Sequence, residues 1–285
     1  MINTSIRIGE KNTLKINRFT EPGAYLMAED ESVVLLPNAY VTQDMQLDQE
    51  IEVFVYTDSE DRIVATTEEP LGYKDQFIYT KVVDVTKIGA FVDMGLSKDL
   101  FVPRNRQKTP FKVGEHRIVR ILKDVDTNRL YGEERITKHL LKSTKLLTKN
   151  QEVSMMIFAK TPLGFKVIIE NSFEGLLYSN EIFQPIQVGD KLNGYVKAVR
   201  KDGKIDVSLQ PIGKANAIDL DTKKILDLLK LNDGSLGYNY KTDPETITNV
   251  FGLSKKAYKR ALTSLVESQQ IIVKDDVISL MKQQK

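Results

Sequence analysis

One pattern occurs three times in this 285-residue chain, and it restricts the fold more than any other feature. Each copy has a glycine near an aromatic residue, an apolar run, a polar turn and a second apolar run. The copies are PGAYLMAEDESVVLLP at 22–37, IGAFVDMGLSKDLFVP at 88–103 and LGFKVIIENSFEGLLY at 163–178. Short apolar runs separated by polar turns indicate antiparallel strands. The pattern therefore predicts that most of the chain consists of repeats of one small β unit.

A second motif follows each copy at a nearly constant distance. The aromatic residue and a matching aliphatic residue are 22, 22 and 23 residues apart in the pairs Tyr25 and Leu47, Phe91 and Val113, and Phe165 and Val188. Each unit then closes with a turn and a short strand: DSEDRIVATT, DVDTNRLYGEE and RKDGKIDVSLQ. Five short strands per unit are typical of a small Greek-key barrel that presents one face and its loops to oligonucleotides.

From residue 214 the hydrophobic period changes from two to 3.6, which predicts helices. Asp221 is placed to cap the first helix, and Asp243 with Pro244 forms a typical start of the second. The predicted segments are three helices at 221–234, 243–252 and 254–270, and a hairpin at 271–281. Helix, helix, turn, helix and hairpin is the order of elements in a winged-helix domain.

Each β unit resembles an S-one type RNA-binding domain, which is an OB-fold barrel; KIGAFVDMG and FKVGEHRIVRIL form the most recognisable copy. The first unit resembles it least. The predicted fold is multidomain and mainly β, with three tandem five-stranded OB-fold barrels followed by a C-terminal α+β winged-helix domain. The predicted domains are residues 1–68, 72–137 and 146–212 for the barrels and 217–285 for the winged helix.

Charge is unevenly distributed along the chain, although the net charge is only +2. Residues 1–70 contain 5 Lys and Arg against 14 Asp and Glu, a net charge of −9. Residues 71–144, 145–213 and 214–285 carry +6, +2 and +3. Because phosphate neutralisation supplies most non-specific affinity, we expect RNA to bind the later segments and the first unit to be structural or to contact protein. The alternative is that acidic and basic parts pack on each other or only maintain solubility.

Composition argues against several other classes of protein. The chain has no cysteine, and His116 and His139 are its only imidazoles, so metal sites and nucleophilic catalysis are disfavoured. A ribonuclease would need clustered carboxylates, whereas the acidic residues fall in predicted hairpin tips. We therefore expect no enzyme activity and no cofactor. No apolar run of 18 or more residues and no N-terminal leader is present, which predicts a soluble, unexported protein without membrane contact.

Exposed aromatic rings are the first candidates for RNA contact, because a base stacks on such a ring for about 1–3 kcal/mol. The S-one resemblance implies this role for Tyr25, Phe91 and Phe165. The alternative is that these rings fill the barrel interiors. At a second contact position of the family, on the next strand, only the third unit is aromatic, with Tyr178.

Basic residues complete the predicted sites, and the third unit is the first choice for the RNA face. Its candidates are Phe165, Tyr178, Lys166, Lys197, Arg200, Lys201 and Lys204. In the second unit they are Phe91, Arg104, Arg106 and Arg129. The resemblance implies a role for Arg129, whereas the arginines of PRNRQKTP could equally belong to a solvated turn. In the last helix, Lys256, Lys259 and Arg260 are predicted to lie opposite an apolar stripe that runs from Tyr258 to Leu265.

Three barrels followed by a winged helix resemble the conserved virulence factor B family of Gram-positive bacteria. FVPRNRQ, DPETITNVFGLSKKAYKRAL and the closing hairpin carry this resemblance. It implies a cytoplasmic, non-catalytic protein that binds single-stranded RNA and regulates virulence-associated genes after transcription. Two alternatives remain: a DNA-binding transcription regulator acting through the winged helix, which could also contact protein, and a protein scaffold on ribosome or polymerase.

Overall fold

Three closed five-stranded barrels precede a small domain of helices and a three-stranded sheet. The structure, a computed structural model, describes residues 6–141, 147–200, 202–211 and 214–281. The chain divides into two compact units. The unit that ends at His139 contains the first two barrels, and the unit that begins at Leu140 contains the third barrel and the helical domain. The predicted fold class is confirmed.

The three barrels have the same strand order, in which the third and fifth strands pair in parallel and the other neighbours are antiparallel. Barrel one contains β1 (Lys11–Thr20), β2 (Gly23–Met27), β3 (Val33–Pro37), β4 (Glu50–Thr57) and β5 (Ile63–Thr66). Barrel two contains β6 (Phe77–Val85), β7 (Gly89–Val92), β8 (Leu100–Pro103), β9 (His116–Lys123) and β10 (Leu130–Glu133). Barrel three contains β11 (Glu152–Thr161), β12 (Gly164–Ile169), β13 (Phe173–Tyr178), β14 (Lys191–Val199) and β15 (Ile205–Ser208). Short 3-10 helices lie at Asn38–Tyr40, Arg104–Arg106, Ile136–His139 and Ser179–Glu181.

Alternating burial along the strands builds each barrel core. In β7, Ala90 and Val92 have no exposed surface, whereas Phe91 between them is only partly buried. The second strand of each barrel begins with a glycine, and the backbone around Gly164 shows the physical reason. Its φ is +148°, and a Cβ atom there would lie 2.0 Å from the carbonyl oxygen of Leu177. Any side chain at this position would force β12 and β13 apart.

Barrels one and two are joined through the two faces of β4. Val53 and Val55 belong to the core of barrel one, whereas Phe54 and Tyr56 point the other way and belong to the core cluster of barrel two. Phe54 is 2% exposed and Tyr56 is 7% exposed. Because burying one large apolar side chain stabilises a fold by about 1.5–3 kcal/mol, this contact holds the two barrels as one body.

Polar contacts surround this apolar joint. Lys98 of barrel two donates hydrogen bonds from Nζ to the carbonyl oxygens of Thr57 and Asp58 in barrel one, each at 2.7 Å. Lys74 Nζ lies 2.8 Å from Glu10 Oε1. The acidic first segment and the basic second segment thus pack on each other, as one interpretation of the charge pattern proposed.

The last domain has the winged-helix order of elements. These are α1 (Lys214–Leu231), β16 (Ser235–Leu236), α2 (Pro244–Phe251), α3 (Lys255–Glu267), β17 (Ile271–Lys274) and β18 (Val277–Leu280). As predicted, Asp243 caps α2, because its side chain accepts a hydrogen bond from the Thr246 amide at 2.9 Å. The prediction that Asp221 caps the first helix is wrong. That helix begins at Lys214, and Asp221 lies within it at 1% exposure.

Candidate nucleic-acid interface

Three aromatic side chains lie side by side on the outer face of barrel two. Phe91 in β7 pairs with Phe101 in β8, and Phe101 pairs with Tyr131 in β10. The ring centroids of Phe91 and Phe101 are 5.2 Å apart, with 46° between the ring planes. All three side chains are partly exposed. We call these three residues the aromatic row, and such a surface can stack on the bases of a single strand of any sequence.

Strand alternation turns the aromatic row outward. The residues that flank Phe91 and Phe101 along their strands are at most 2% exposed and fill the interior: Ala90, Val92, Leu100 and Val102. Phe91 is therefore outside, as predicted, and its contact with RNA stays a prediction. The sequence analysis missed Phe101 and Tyr131. The alternation in LFVP already placed Phe101 on the face opposite to its apolar neighbours, and this signal was not used.

Arg106 adds a positive charge to the aromatic row. Its guanidinium carbon lies 5.6 Å from the centre of the Tyr131 ring, within cation–π range. Glu133, which is 1% exposed, holds the arginine there with 3.3 Å between Arg106 Nη1 and Glu133 Oε1, and His139 Nε2 lies 2.7 Å from Glu133 Oε2. Burial alone would raise the pKa of Glu133. The hydrogen bonds from His139 and Arg106 outweigh it and hold the pKa below its ordinary value.

The loop at 103–110 is attached to barrel two and is more than a solvated turn. Glu134 accepts hydrogen bonds from the backbone amide of Lys108 at 2.5 Å and from Arg117 Nη1 at 2.9 Å. Within the loop, the side chain of Gln107 is buried and donates a hydrogen bond to the carbonyl oxygen of Val102 at 3.0 Å. Arg104 is exposed on this fixed segment, so its charge is presented to a ligand with little loss of loop entropy on binding.

Barrel one lacks an open aromatic row. Strand pairing gives Tyr25, Leu35 and Val64 as its matching positions. The guanidinium carbon of Arg18 lies 4.3 Å from the centre of the Tyr25 ring and covers one of its faces. Val64 is 4% exposed because it packs into the core cluster of barrel two. The surface that corresponds to the aromatic row is therefore partly closed.

Arg129, the predicted contact in the closing hairpin of barrel two, forms an ion pair with Asp61 of barrel one. The hydrogen bond with Asp61 raises the pKa of Arg129 and, in return, lowers the pKa of Asp61. Both side chains remain about half exposed, at 56% and 46%. The positive charge at this hairpin is thus shared with the acidic barrel.

Barrel three presents a lysine where barrel two presents Phe91. Strand pairing puts Lys166 at the position of Phe91, and Phe165 at the position of Ala90, where Phe165 packs against the core of barrel three. The prediction that Phe165 is the counterpart of Phe91 is wrong by one residue. The spacing carried the signal, because Val188 lies 23 residues after Phe165 but 22 after Lys166, as in the other units.

The rest of the corresponding face in barrel three is not aromatic. Lys166 pairs with Leu176, and Leu176 pairs with Asp206. Asp206 accepts hydrogen bonds from Arg200 Nε at 2.9 Å and Nη2 at 2.6 Å, and Arg200 Nη2 also donates to the hydroxyl of Tyr178. Tyr178 and Arg200 lie together, as predicted, but the arginine already has a bidentate acidic partner.

The lysines predicted for the RNA face of barrel three are also paired with acidic residues. The ion pairs are Lys166 with Glu174 at 2.6 Å, Lys197 with Glu181, and Lys204 with Asp202 at 3.4 Å. Lys201 lies outside the described residues. Barrel three therefore offers less unpaired positive charge than its composition indicates.

The exposed face of α3 carries Lys256 and Lys259, whereas Arg260 turns toward α1. Arg260 Nη2 lies 3.2 Å from Oδ2 of the buried Asp221. Burial raises the pKa of Asp221, and the hydrogen bond from Arg260 opposes this effect. The prediction that Arg260 shares the outward face of the two lysines is wrong. Its main contact holds α1 against α3.

The described residues contain neither a cluster of metal-binding side chains nor a helix that could span a membrane. Within residues 6–141, 147–200, 202–211 and 214–281, no group of three or more His, Asp or Glu could hold a metal ion. In the same ranges, no helix has both the length and the apolar character needed to cross a membrane. The acidic hairpin tip at Asp58 is paired with Arg62 at 2.7 Å.

Two protein-family models match the chain. An S1 domain model matches residues 8–68, which form barrel one, and a CvfB-like winged helix domain model matches residues 223–280. The S1 match falls on the barrel whose sequence resembled this domain type least. These domains are of nucleic-acid-binding and not catalytic types, so the chain is a nucleic-acid-binding protein.

Relatives cover nearly the whole chain. A solved multidomain protein with nucleic acid binding domains from Streptococcus pneumoniae TIGR4 is 22% identical, with a TM-score of 0.40 over 96% of this chain and 98% of that one. Conserved virulence factor B of Staphylococcus epidermidis ATCC 12228 is 25% identical over 84% of this chain and 82% of its own. The uncharacterized protein YitL of Bacillus subtilis 168 is 30% identical over 94% of this chain and 91% of its own. The YitL similarity, at 30% identity over most of both chains, together with the virulence factor B relatives and the CvfB-like winged helix match, shows that the chain belongs to the conserved virulence factor B family.

Proposed function

We propose that this protein binds single-stranded RNA through the outer face of barrel two and regulates gene expression after transcription. Relatives named for virulence support a role in the expression of virulence genes. Bacterial messenger RNA is a cytoplasmic partner, so the proposed location is the cytoplasm. The proposed activity is binding alone, without catalysis.

The aromatic row is the observation that carries this proposal. Phe91, Phe101 and Tyr131 provide three adjacent rings, whereas the matching positions contain one aromatic residue in barrel one and none in barrel three. Residues 71–144 also carry the highest net charge of the four segments, at +6. Stacking surface and positive charge thus coincide in barrel two.

The geometry favours a single strand over a duplex. Bases of a single strand can lie on the rings while the phosphates approach Arg104 and Arg106, which lie on the loop that follows β8. In a duplex the base faces are already stacked on each other and are unavailable to the rings. Direct base readout is not required, so we expect modest sequence preference and strong salt dependence.

Fluorescence anisotropy with a labelled single-stranded RNA, measured at several salt concentrations, tests the proposal. Phe101→Ala should weaken binding by about 1–3 kcal/mol without changing the salt slope, since it removes stacking and no charge. Tyr25→Ala is the matched control in barrel one and should bind as wild type does. Equal losses for the two variants would contradict the assignment to barrel two.

Duplex DNA binding through the winged helix is the second candidate. Lys256 and Lys259 are exposed on α3, the helix that corresponds to the recognition helix of helix-turn-helix modules. Under this alternative, duplex DNA would bind more tightly than single-stranded RNA at the same salt concentration. Lys256→Ala would weaken DNA binding, and Phe101→Ala would leave it unchanged.

A further inference from the structure

The aromatic row crosses strands β7, β8 and β10, and cations lie beyond one end of all three strands. Because β7 is antiparallel to β8 and β10 is parallel to β8, this end is formed by the start of β7 and the ends of β8 and β10. Lys87 precedes β7, Arg104 follows β8 and Arg135 follows β10. Each strand thus carries one ring of the row and one cation beyond the same end. We call Lys87, Arg104 and Arg135 the basic flank.

Backbone hydrogen bonds hold the three segments of the basic flank together. The Arg104 amide donates to the carbonyl oxygen of Ile88 at 2.9 Å, which joins the end of β8 to the turn before β7. The Glu134 amide donates to the carbonyl oxygen of Arg106 at 3.0 Å, which joins the end of β10 to the loop after β8. The backbone atoms that carry the three cations are therefore fixed relative to one another and to the rings.

The side chains of the basic flank are available to an anion. All three are exposed, and none of them forms an ion pair with a carboxylate in the described part of the chain. The Arg104 guanidinium donates only to the uncharged side-chain oxygen of Gln107, at 3.3 Å. The nearby carboxylates are already occupied, in the pairs Glu133 with Arg106 and Glu134 with Arg117.

The opposite side of the aromatic row is acidic. Asp93 follows β7 and Asp99 precedes β8. Burial raises the pKa of Asp99, and the negative charges of Asp93 and Asp84 raise it further, so the three carboxylates lie within electrostatic range of one another. Arg129, which precedes β10 on this side, is already paired with Asp61. We call Asp93 and Asp99 the acidic flank, and its charge repels a phosphate.

We propose that the sugar-phosphate backbone of a bound single strand lies along the basic flank while its bases lie on the aromatic row. Lys87, Arg104 and Arg135 contact phosphates, and the acidic flank keeps the backbone off the other side of the rings. This assignment rests on the proposed function and adds Lys87 and Arg135 to the interface. It also separates the residues that neutralise phosphates from those that stack on bases.

Fluorescence anisotropy on the full chain, with a labelled single-stranded RNA at several salt concentrations, tests the basic flank. The double variant K87A/R135A should flatten the salt slope by about 1.4, twice the single-strand value per phosphate. Over about a fourfold rise in salt, the affinity of the wild type should therefore fall about sevenfold more than that of the variant. A single strand with neutral methylphosphonate linkages keeps its bases and loses its charge. The variant and the wild type should bind this strand equally, and Phe101→Ala should bind it more weakly.

K81A/K123A is the matched control, because it removes two lysines of barrel two that lie away from the basic flank. The carbonyl oxygen of Lys81 accepts a hydrogen bond from the Asp93 amide at 2.9 Å, and Lys123 lies opposite Leu130, where β10 begins. This variant should keep the wild-type salt slope.

Three results would overturn the proposal. Equal flattening of the salt slope in both double variants would mean that only net charge matters. Wild-type RNA binding by K87A/R135A, together with weaker binding by Phe101→Ala, would overturn the basic flank and leave the proposed function standing. Absence of RNA binding by the wild-type chain would overturn the proposed function as well.

Discussion

Phe165 lies opposite Leu177 in the β12–β13 pair, on the side that faces the core of barrel three. Phe91 lies on the other side of its sheet, because the position of Phe165 corresponds to that of Ala90. A shift of one residue in a strand moves a side chain from one face to the other. Two phenylalanines that look equivalent in the repeat thus have different physical roles.

The first prediction separates these roles by mutation. Phe165→Ala should destabilise the protein by about 1–3 kcal/mol, because the partly buried ring packs against the core of barrel three, with little effect on the RNA affinity of the folded protein. Phe91→Ala should weaken RNA binding by about 1–3 kcal/mol with a much smaller loss of stability. Urea unfolding and anisotropy measure the two effects. If Phe165→Ala instead weakened RNA binding and Phe91→Ala destabilised the fold, Phe165 would be the exposed ring.

The repeat pattern was sufficient to predict the barrels, because period-two burial and turn chemistry are local properties of the sequence. It was insufficient at Phe165, because this ring directly follows Gly164, whereas Tyr25 and Phe91 each lie two residues after the glycine of their unit. A difference of one residue places the side chain on the other face of the strand. The predicted cap at Asp221 is wrong because the helix extends back to Lys214. The buried Asp221 side chain instead forms an ion pair with Arg260 of α3, a tertiary contact that the local capping pattern does not contain. The pairing of Arg129 with Asp61 depends on how two barrels pack, which no local pattern contains.

The second prediction concerns the joint between barrels one and two. Phe54→Ala should destabilise both barrels together by about 3–5 kcal/mol, because the ring belongs to the core cluster of barrel two although it lies in barrel one. Hydrogen exchange with mass spectrometry should show faster exchange in β6–β10 as well as in β1–β5. Unchanged protection of barrel two would show that the barrels are energetically independent.

The third prediction is the pH dependence of the Glu133 network. Its pKa is lowered in the folded protein, so the stabilisation is fully present above the unfolded value of about 4.3 and is lost as pH falls through the folded pKa. Glu133→Gln should lower the free energy of unfolding by about 1–3 kcal/mol at pH 7. At pH 3 the free energies of unfolding of the variant and the wild type should lie closer together. Urea unfolding at both pH values measures it.

Glu174→Gln is a suitable control for this measurement. Glu174 also forms an ion pair with a lysine, Lys166, but its side chain is 36% exposed. Substitutions at such surface positions usually change the free energy of unfolding by no more than about 0.5 kcal/mol. A Glu133→Gln variant that behaves like the control at pH 7 would mean that the network does not stabilise the fold.

The fourth prediction tests whether Asp61 restrains Arg129. Asp61→Asn should strengthen RNA binding and steepen the salt slope by up to about 0.7, the value for one additional phosphate contact on a single strand. Asp44→Asn removes the same charge from barrel one but not from the ion pair with Arg129. If both variants strengthen binding equally, the effect is one of net charge and Arg129 has no specific role.

The last prediction distinguishes the two kinds of basic residue on α3. Lys256 and Lys259 are exposed, so changing both to glutamate should alter stability by no more than about 1 kcal/mol in total. Arg260→Glu should be far more damaging, about 3–5 kcal/mol, because it leaves Asp221 buried without its cation and adds a second carboxylate beside it. If the exposed lysines track a phosphate backbone, the double variant should lower RNA affinity and flatten the salt slope by about 1.4, twice the single-strand value per phosphate. Normal RNA binding by the folded double variant, together with loss of a protein partner in a pull-down, would assign the exposed face of α3 to protein docking and leave RNA recognition to the barrels.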